Sequence, residues 1–200
     1  MSREKLKFKK LLNEFRSLKY ELEYVDAVAR EGNEEFEIYY RQYCAEKQID
    51  IDTLNKQHKA RVESIFQKSS KNIEKAVEIK QIKEEFDSKD IFRQIAKKFH
   101  PDLIKDDDPK KKEYEEAFKQ AADAVNNGKW GELFDVAEKY DIDLNNYDDI
   151  NGSLKLDIQR IKKKIQSKKD SYGYLLMECE ENKNCMDNVV KRFLKHLFNI

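Results

Sequence analysis

A regular apolar stripe near the start of the chain limits the possible folds more than any other feature. From Phe8 to Ala29 apolar residues recur in alternating steps of three and four, at Phe8, Leu11, Phe15, Leu18, Leu22, Val25 and Ala29. This spacing places them on one face of an α-helix, as in a heptad repeat. The pattern is compatible with packing inside one chain, with a homodimer through a Phe8–Ala29 seam, and with recognition of another protein.

The scarcity of turn residues extends the helical prediction to the whole chain. There are five Gly and two Pro in 200 residues, whereas a sandwich or barrel needs a turn signal about every 8–12 residues. We therefore predict an all-α fold. The 40 Lys and Arg balance the 40 Asp and Glu, giving a net charge of zero, so no overall field favours nucleic acid or an anionic membrane as a partner.

Breaks in the apolar patterns predict four segments: a helical arm over residues 1–86, a compact helical unit over 87–128, a short helix and an acidic loop over 129–150, and C-terminal helices over 151–200. Within the arm, Gly32-Asn33 is predicted to end the first helix, and a second helix follows. A third helix, capped by Asp52 or Thr53, is expected to reach toward Phe86 and to pack antiparallel against the first.

The unit over residues 87–128 reads as a pair of short amphipathic helices. Phe92, Ile95, Ala96 and Phe99 fall at i, i+3, i+4 and i+7, the buried stripe of one helix. Pro101 ends that helix, because the residue before a proline is disfavoured in the helical region. A second helix carries Phe118 and Ala121 on its stripe, and Asn127-Gly128 closes it.

The turn between these two helices contains His100-Pro101-Asp102, in a chain with three His and two Pro. Residues 89–105 carry five Lys or Arg against two Asp, so a local basic face, formed by Arg93, Lys97 and Lys98, exists within a neutral protein. A plain helix stop and a solvated helix face are the simpler interpretations of these two features.

The flanking residues give the tripeptide a family context. The stretch FRQIAKKFHPDL, from Phe92 to Leu103, resembles the second helix and loop of a J-domain, the DnaJ-type co-chaperone module. AFKQAADAV, from Ala117 to Val125, is similar to the family's third helix, with Phe118 and Ala124 at matching positions. The likeness covers about a fifth of the chain. It lacks the Tyr-x-x-Leu-Gly signature of the family's first helix, and Gln94 stands where a Lys or Arg is usual.

This resemblance implies a J-domain-like helical hairpin flanked by long antiparallel or coiled-coil helices, with a DnaK-type heat-shock ATPase as the partner. Asp102 would then contact a partner Arg, Pro101 would set the turn and His100 would pack beside it. The basic face would meet an acidic surface of the ATPase, and the helical arms would choose a client protein. The implied core consists of Phe92, Ile95, Ala96, Phe99, Phe118 and Ala121. The alternative is a helical scaffold or adaptor that keeps a degenerate hairpin.

Neither an enzyme nor a cofactor site is predicted. The sequence has no glycine-rich phosphate loop, no His-Glu-x-x-His and no nucleophile elbow, and in the resemblance ATP and its metal belong to the partner. Cys44, Cys179 and Cys185 lack the spacing of a zinc site and are expected to be reduced thiols. With a charged start and no apolar run of about 20 residues, the chain is expected to be cytoplasmic.

Overall fold

A computed structural model of the protein describes residues 2–69 and 89–200, and over these residues the fold is all-α, as predicted. The described α-helices are α1 (Arg3–Glu46), α2 (Ile51–Ser69), α3 (Lys89–Phe99), α4 (Lys111–Asn126), α5 (Trp130–Lys139), α6 (Tyr147–Lys169), α7 (Tyr172–Met177) and α8 (Lys183–Phe198). A 3₁₀ turn, Pro101–Leu103, follows α3.

The chain divides into two compact units, each built from two segments. The first unit comprises Met1–Leu22 and Lys83–Lys164, and the second comprises Glu23–Ile82 and Ile165–Ile200. These boundaries differ from the predicted segments 1–86, 87–128, 129–150 and 151–200. The reason is that α1 and α6 each contribute residues to both units.

In the first unit, the start of α1 packs against helices from the other end of the sequence. The Phe8 ring lies 6.2 Å from the Phe134 ring on α5 and 5.6 Å from the Tyr147 ring on α6. Phe8, Leu12 and Phe15 are buried there. The same core contains Ile91, Ile95, Phe99, Ala117, Ala121, Ala124, Leu133, Phe134, Val136, Ala137, Ile150, Leu154 and Ile158.

Part of the predicted stripe on α1 is therefore buried within a single chain. Phe8, Phe15, Val25 and Ala29 are buried, and the remaining stripe residues, Leu11, Leu18 and Leu22, are half-buried. Packing inside the chain accordingly accounts for the four buried residues of the stripe.

In the second unit, the second half of α1 packs on the C-terminal helices. The Phe36 ring lies 5.1 Å from the Phe193 ring of α8, and α2 itself meets α8, where the His58 and Phe198 rings are 5.8 Å apart. The predicted antiparallel pairing of the first and third helices stays a prediction. Phe36 and Tyr40 of α1 pack against rings of α7 and α8. The local sequence pattern did not indicate this packing.

The predicted end of the first helix at Gly32-Asn33 is wrong, because α1 continues to Glu46. A Cβ atom at Gly32 would lie 2.3 Å from the carbonyl oxygen of Gly173 in α7, and one at Gly173 would lie 2.4 Å from Oδ1 of Asn33. Two missing side chains thus allow the backbones of α1 and α7 to approach. Gly32 is present for its small size and not as a helix stop.

The α2 helix begins slightly earlier than predicted. The Thr53 amide donates to Oδ1 of Asp50 (3.1 Å) and the Thr53 hydroxyl donates to Oδ2 (2.6 Å), so Asp50 provides the cap expected of Asp52 or Thr53. The expected continuation of this helix to Phe86 lies outside the described residues.

The predicted acidic loop is shorter than expected, because α6 begins at Tyr147. Asp148 and Asp149 occupy its first turn, where negative charge is favourable beside the positive end of the helix dipole. The same acidic residues that suggested a loop therefore favour a helix start. The short helix from Trp130 and the closure of α4 at Asn127-Gly128 are confirmed, with Gly128 at φ +61°.

Two of the three cysteines are bonded to each other, which corrects the prediction of reduced thiols. Cys179 and Cys185 form a disulfide, with their Cα atoms 5.5 Å apart, while Cys44 is free and buried. The turn between α7 and α8 brings the pair together. No zinc or redox spacing in the sequence indicates this proximity.

The start of α5 offers a first prediction, at the buried carboxylate of Asp157. Its Oδ2 accepts from the Gly131 amide (2.8 Å) and its Oδ1 binds Nη1 of Arg160 (2.8 Å). Asp157→Ala is expected to lower the free energy of unfolding by about 1–3 kcal/mol, because the Gly131 amide loses its acceptor. Asp157→Asn keeps an acceptor oxygen and should cost less. Urea unfolding followed by fluorescence of Trp130 measures both; equal losses would contradict this account.

Candidate functional site

The helices α3 and α4 form the predicted hairpin, and aromatic rings join them along its length. The Phe99 ring lies 5.0 Å from the Tyr114 ring, and the Phe92 ring lies 5.8 Å from the Phe118 ring. The buried residues of α4 in this core are the alanines Ala117, Ala121 and Ala124. Their small side chains allow the helices to pack closely. The hairpin presents the residues of its turn at one end.

The implied core of the hairpin is confirmed in part. Ile95, Phe99 and Ala121 are buried, whereas Phe92, Ala96 and Phe118 are half-buried. The prediction missed three fully enclosed residues: Ile91, Ala117 and Ala124. Their spacing at i−4 from Ile95 and at i, i+4 and i+7 along α4 is the signal that would have found them.

His100 marks the point where the chain leaves α3. Its backbone is extended (φ −61°, ψ 132°), as expected before Pro101. Its Nδ1 accepts from the amide of Asp102 (3.3 Å), and its ring lies edge-on to the Phe118 ring at 5.2 Å. His100 is thus fixed on one side by the turn and on the other by α4.

Asp102 points its carboxylate toward solvent. The side chain is 85% exposed, compared with 43% for His100, and its Oδ2 lies 3.6 Å from Nδ1 of His100. Pro101 is exposed between them. The turn therefore presents a carboxylate in one backbone geometry, which reduces the ordering cost of a contact with a partner.

The three residues of the basic face have different surroundings. Arg93 is 70% exposed and its Nη1 lies 3.3 Å from Oδ1 of Asp90, one helical turn away. Lys97 is exposed. Lys98 instead donates from Nζ to the backbone carbonyl of Tyr140 (2.7 Å). All three predicted contact residues are exposed, but Lys98 is tied by this hydrogen bond to the segment after α5.

The segment after α5 holds the hairpin from the side. The Tyr140 ring packs 4.6 Å from the Phe99 ring, and its hydroxyl donates to Oε1 of Glu113 on α4 (2.9 Å). Gln94 donates to the carbonyl of Asp143 (3.2 Å). The residue that departs from the J-domain pattern thus ties α3 to this segment. Sequence reasoning missed both anchors, since neither contact is local.

Glu113, which binds the Tyr140 hydroxyl, also pairs with Lys139. Hydrogen bonds from the Tyr140 hydroxyl and from Lys139 lower the pKa of Glu113 below its ordinary value. Burial raises the pKa of Tyr140. Near the turn, Lys111 binds Asp106 and lowers the pKa of that carboxyl. These carboxylates are ionised and engaged at neutral pH.

Taken together, the exposed residues of the site can form charged contacts. Because the first helix of the J-domain pattern is missing, the end of the third helix at Phe86 is expected to pack on this hairpin in its place. Phe86 lies outside the described residues. Within the described part of the chain, no three His, Cys, Asp or Glu side chains are placed to hold a metal ion. The exposed Asp102 carboxylate and the Arg93 and Lys97 cations fit a protein partner that carries both signs of charge.

None of the described helices has the length and apolarity that a membrane crossing requires.

The chain was compared with known proteins in three ways. Protein-family models, curated proteins and solved structures were all compared with the chain, and none of them matches it.

Proposed function

We propose that the protein is a co-chaperone that binds a DnaK-type heat-shock ATPase through the His100-Pro101-Asp102 turn and the basic face of α3. It stimulates ATP hydrolysis by that partner and directs it to a client protein through its other helices. The protein itself carries out no catalysis in this scheme. ATP and its metal are bound by the partner.

One observation carries this proposal: the tripeptide occupies the end of a helical hairpin with its carboxylate exposed. The Phe118 ring and the Asp102 amide hold His100, so the turn has a defined shape before any partner arrives. Asp102 then offers an acceptor for a charge-assisted hydrogen bond to a partner Arg. Arg93 and Lys97 stand on the preceding helix, where they supply long-range attraction to an acidic surface.

A second candidate, a helical scaffold or adaptor, is favoured by Lys98 and Gln94. Both side chains donate to backbone carbonyls after α5, a role that fastens the hairpin and does not require an ATPase. In this reading the tripeptide is a helix stop. The two functions differ in one measurable respect, because a scaffold leaves the ATPase rate unchanged.

The experiment is single-turnover ATP hydrolysis by a DnaK-type chaperone from the same cell, with the protein added. The wild-type protein is expected to raise the rate, and Asp102→Asn to remove the increase. Truncation of a charged hydrogen-bonding partner costs roughly 2–5 kcal/mol, so binding weakens about 30-fold or more. His100→Gln should act in the same direction by loosening the turn.

Asp107→Asn is the matched control, since Asp107 is an exposed aspartate five residues further along the same loop. It removes the same charge and should leave stimulation intact. Circular dichroism checks the fold of each variant. Absence of stimulation by the folded wild-type protein, or equal loss in Asp102→Asn and Asp107→Asn, would favour the scaffold.

A further inference from the structure

The disulfide between α7 and α8 joins two sulfurs in different surroundings. Cys179 is 4% exposed and belongs to the core of the second unit, with Leu176 and Val189. Cys185 is exposed in the first turn of α8. An external thiol therefore has access to one end of the bond and is excluded from the other.

The turn that the bond closes has an unusual backbone. Glu180 and Glu181 both lie in the left-handed region, at φ 46° and 63°, which residues with side chains adopt at a cost. The Asn182 amide donates to the Cys179 carbonyl (2.8 Å), and the Asn182 side chain accepts from the Cys185 amide (3.1 Å). The bond thus spans a tight turn that also caps α8.

Three exposed glutamates neighbour the bond in sequence. Glu178, Glu180 and Glu181 are all exposed next to Cys179 in sequence. The lysine nearest in sequence is Lys183. Its Nζ lies 3.6 Å from Oε2 of Glu46, and this carboxylate offsets its charge. These glutamates repel a thiol that carries a net negative charge. They repel an amine-bearing thiol less, because its ammonium group balances the charge of its thiolate.

We propose that Cys179–Cys185 is a reversible redox site, at which a small amine-bearing thiol attacks Cys185 and releases Cys179. The attacking thiolate forms a new S–S bond to Cys185. The bond to Cys179 breaks, its electron pair stays on Cys179, and this sulfur takes a proton from solvent. A second thiol then attacks the small-molecule sulfur, which releases Cys185 as a thiol and a small-molecule disulfide. Two electrons pass in total from the external thiols to the protein.

The remaining cysteine is spared by its surroundings. Cys44 is fully buried in the same unit, and burial raises the pKa of its thiol. Because the thiolate is the reactive form, Cys44 remains unreactive while the fold is intact. It therefore serves as an internal control for unfolding.

Trapping identifies the attacked sulfur in the full native chain. The oxidised protein is incubated with cysteamine, quenched in acid, alkylated and mapped by mass spectrometry. The expected intermediate carries cysteamine on Cys185 and the alkyl group on Cys179. Cysteamine on Cys179, an equal mixture, or exchange only when Cys44 also becomes alkylated would overturn the proposal. Cys44→Ser should exchange at the wild-type rate.

A comparison of two thiols tests the role of the carboxylates. At low salt, cysteamine should react roughly fivefold faster than glutathione at equal thiolate concentration, and the ratio should shrink at high salt. Glu180→Gln combined with Glu181→Gln should reduce the ratio as well. An equal rate at low salt would contradict selection by charge.

The reduced state should differ in stability as well as in thiol content. Loss of a cross-link across a short loop is expected to lower Tm by about 5 °C, with faster amide hydrogen exchange at the start of α8. An unchanged Tm and unchanged exchange would mean that reduction switches nothing. This site is independent of the proposed ATPase contact, so either can fail alone.

Discussion

Gly32→Ala is expected to lower the free energy of unfolding of the second unit by about 3 kcal/mol. A methyl group at Gly32 would meet the Gly173 carbonyl at 2.3 Å and its carbonyl carbon at 2.7 Å. Both atoms belong to the backbone, so relief requires α1 and α7 to separate. Overpacking typically costs about 1–3 kcal/mol of stability. This substitution is expected at the upper end of that range, because the new methyl group meets backbone atoms. The cost exceeds the gain from the higher helix preference of alanine.

Gly152→Ala is the matched control, because it makes the same change within α6. A Cβ atom there meets nothing within 4 Å, so only the helix preference remains, and stability should rise by about 0.5–1 kcal/mol. Native-state hydrogen exchange of the α7 and α8 amides measures the second unit, which contains Gly32. Exchange of the α6 amides up to Lys164 measures the first unit, which contains Gly152. Two glycine substitutions of opposite sign are expected; a stabilising Gly32→Ala would refute the close approach of the two helices.

Phe8→Ala is expected to destabilise the first unit by about 3–5 kcal/mol, the usual cost of removing a buried phenyl ring. The Phe8 side chain is 2% exposed and contacts the rings of Phe134 and Tyr147. Its loss leaves a cavity between α1, α5 and α6. Urea unfolding followed by the fluorescence of Trp130, the one tryptophan of the sequence, reports this loss.

The same substitution tests how the stripe on α1 is used. Leu6 lies two residues earlier on α1 and is 53% exposed, so Leu6→Ala should change stability by less than about 0.5 kcal/mol. If the stripe packs within one chain, the effect of Phe8→Ala is the same at every protein concentration. A loss of stability that grows on dilution would instead indicate a dimer through the Phe8–Ala29 seam.

The sequence predicted those elements whose signals are local. The proline stop after α3, the Asn127-Gly128 closure and the short helix after it follow from residues within one or two helical turns. The errors arose where the conformation depends on contacts that the local apolar pattern does not encode. Gly32 resembles a helix stop until Gly173 is placed beside it, and the pairing of Cys179 with Cys185 depends on the path of a turn.

The candidate site shows the same division. His100, Pro101 and Asp102 could be selected from the sequence because a proline turn after an amphipathic helix has a recognisable pattern. The positions of Lys98 and Gln94 could not, since both donate to carbonyls more than 40 positions away. The sequence therefore identified the exposed residues of the site, whereas its supporting contacts required the packed fold.

The two-segment construction of the first unit has a consequence for synthesis of the protein. Arg16 and its partner Asp135 are separated by 119 positions, and Phe8 meets α5 and α6 across a similar interval. At roughly 5–20 residues per second, a ribosome needs about 6–25 s to cover that distance. Throughout this interval the apolar side of α1 emerges without its native neighbours, so the nascent chain is most exposed to aggregation before α5 and α6 have been made.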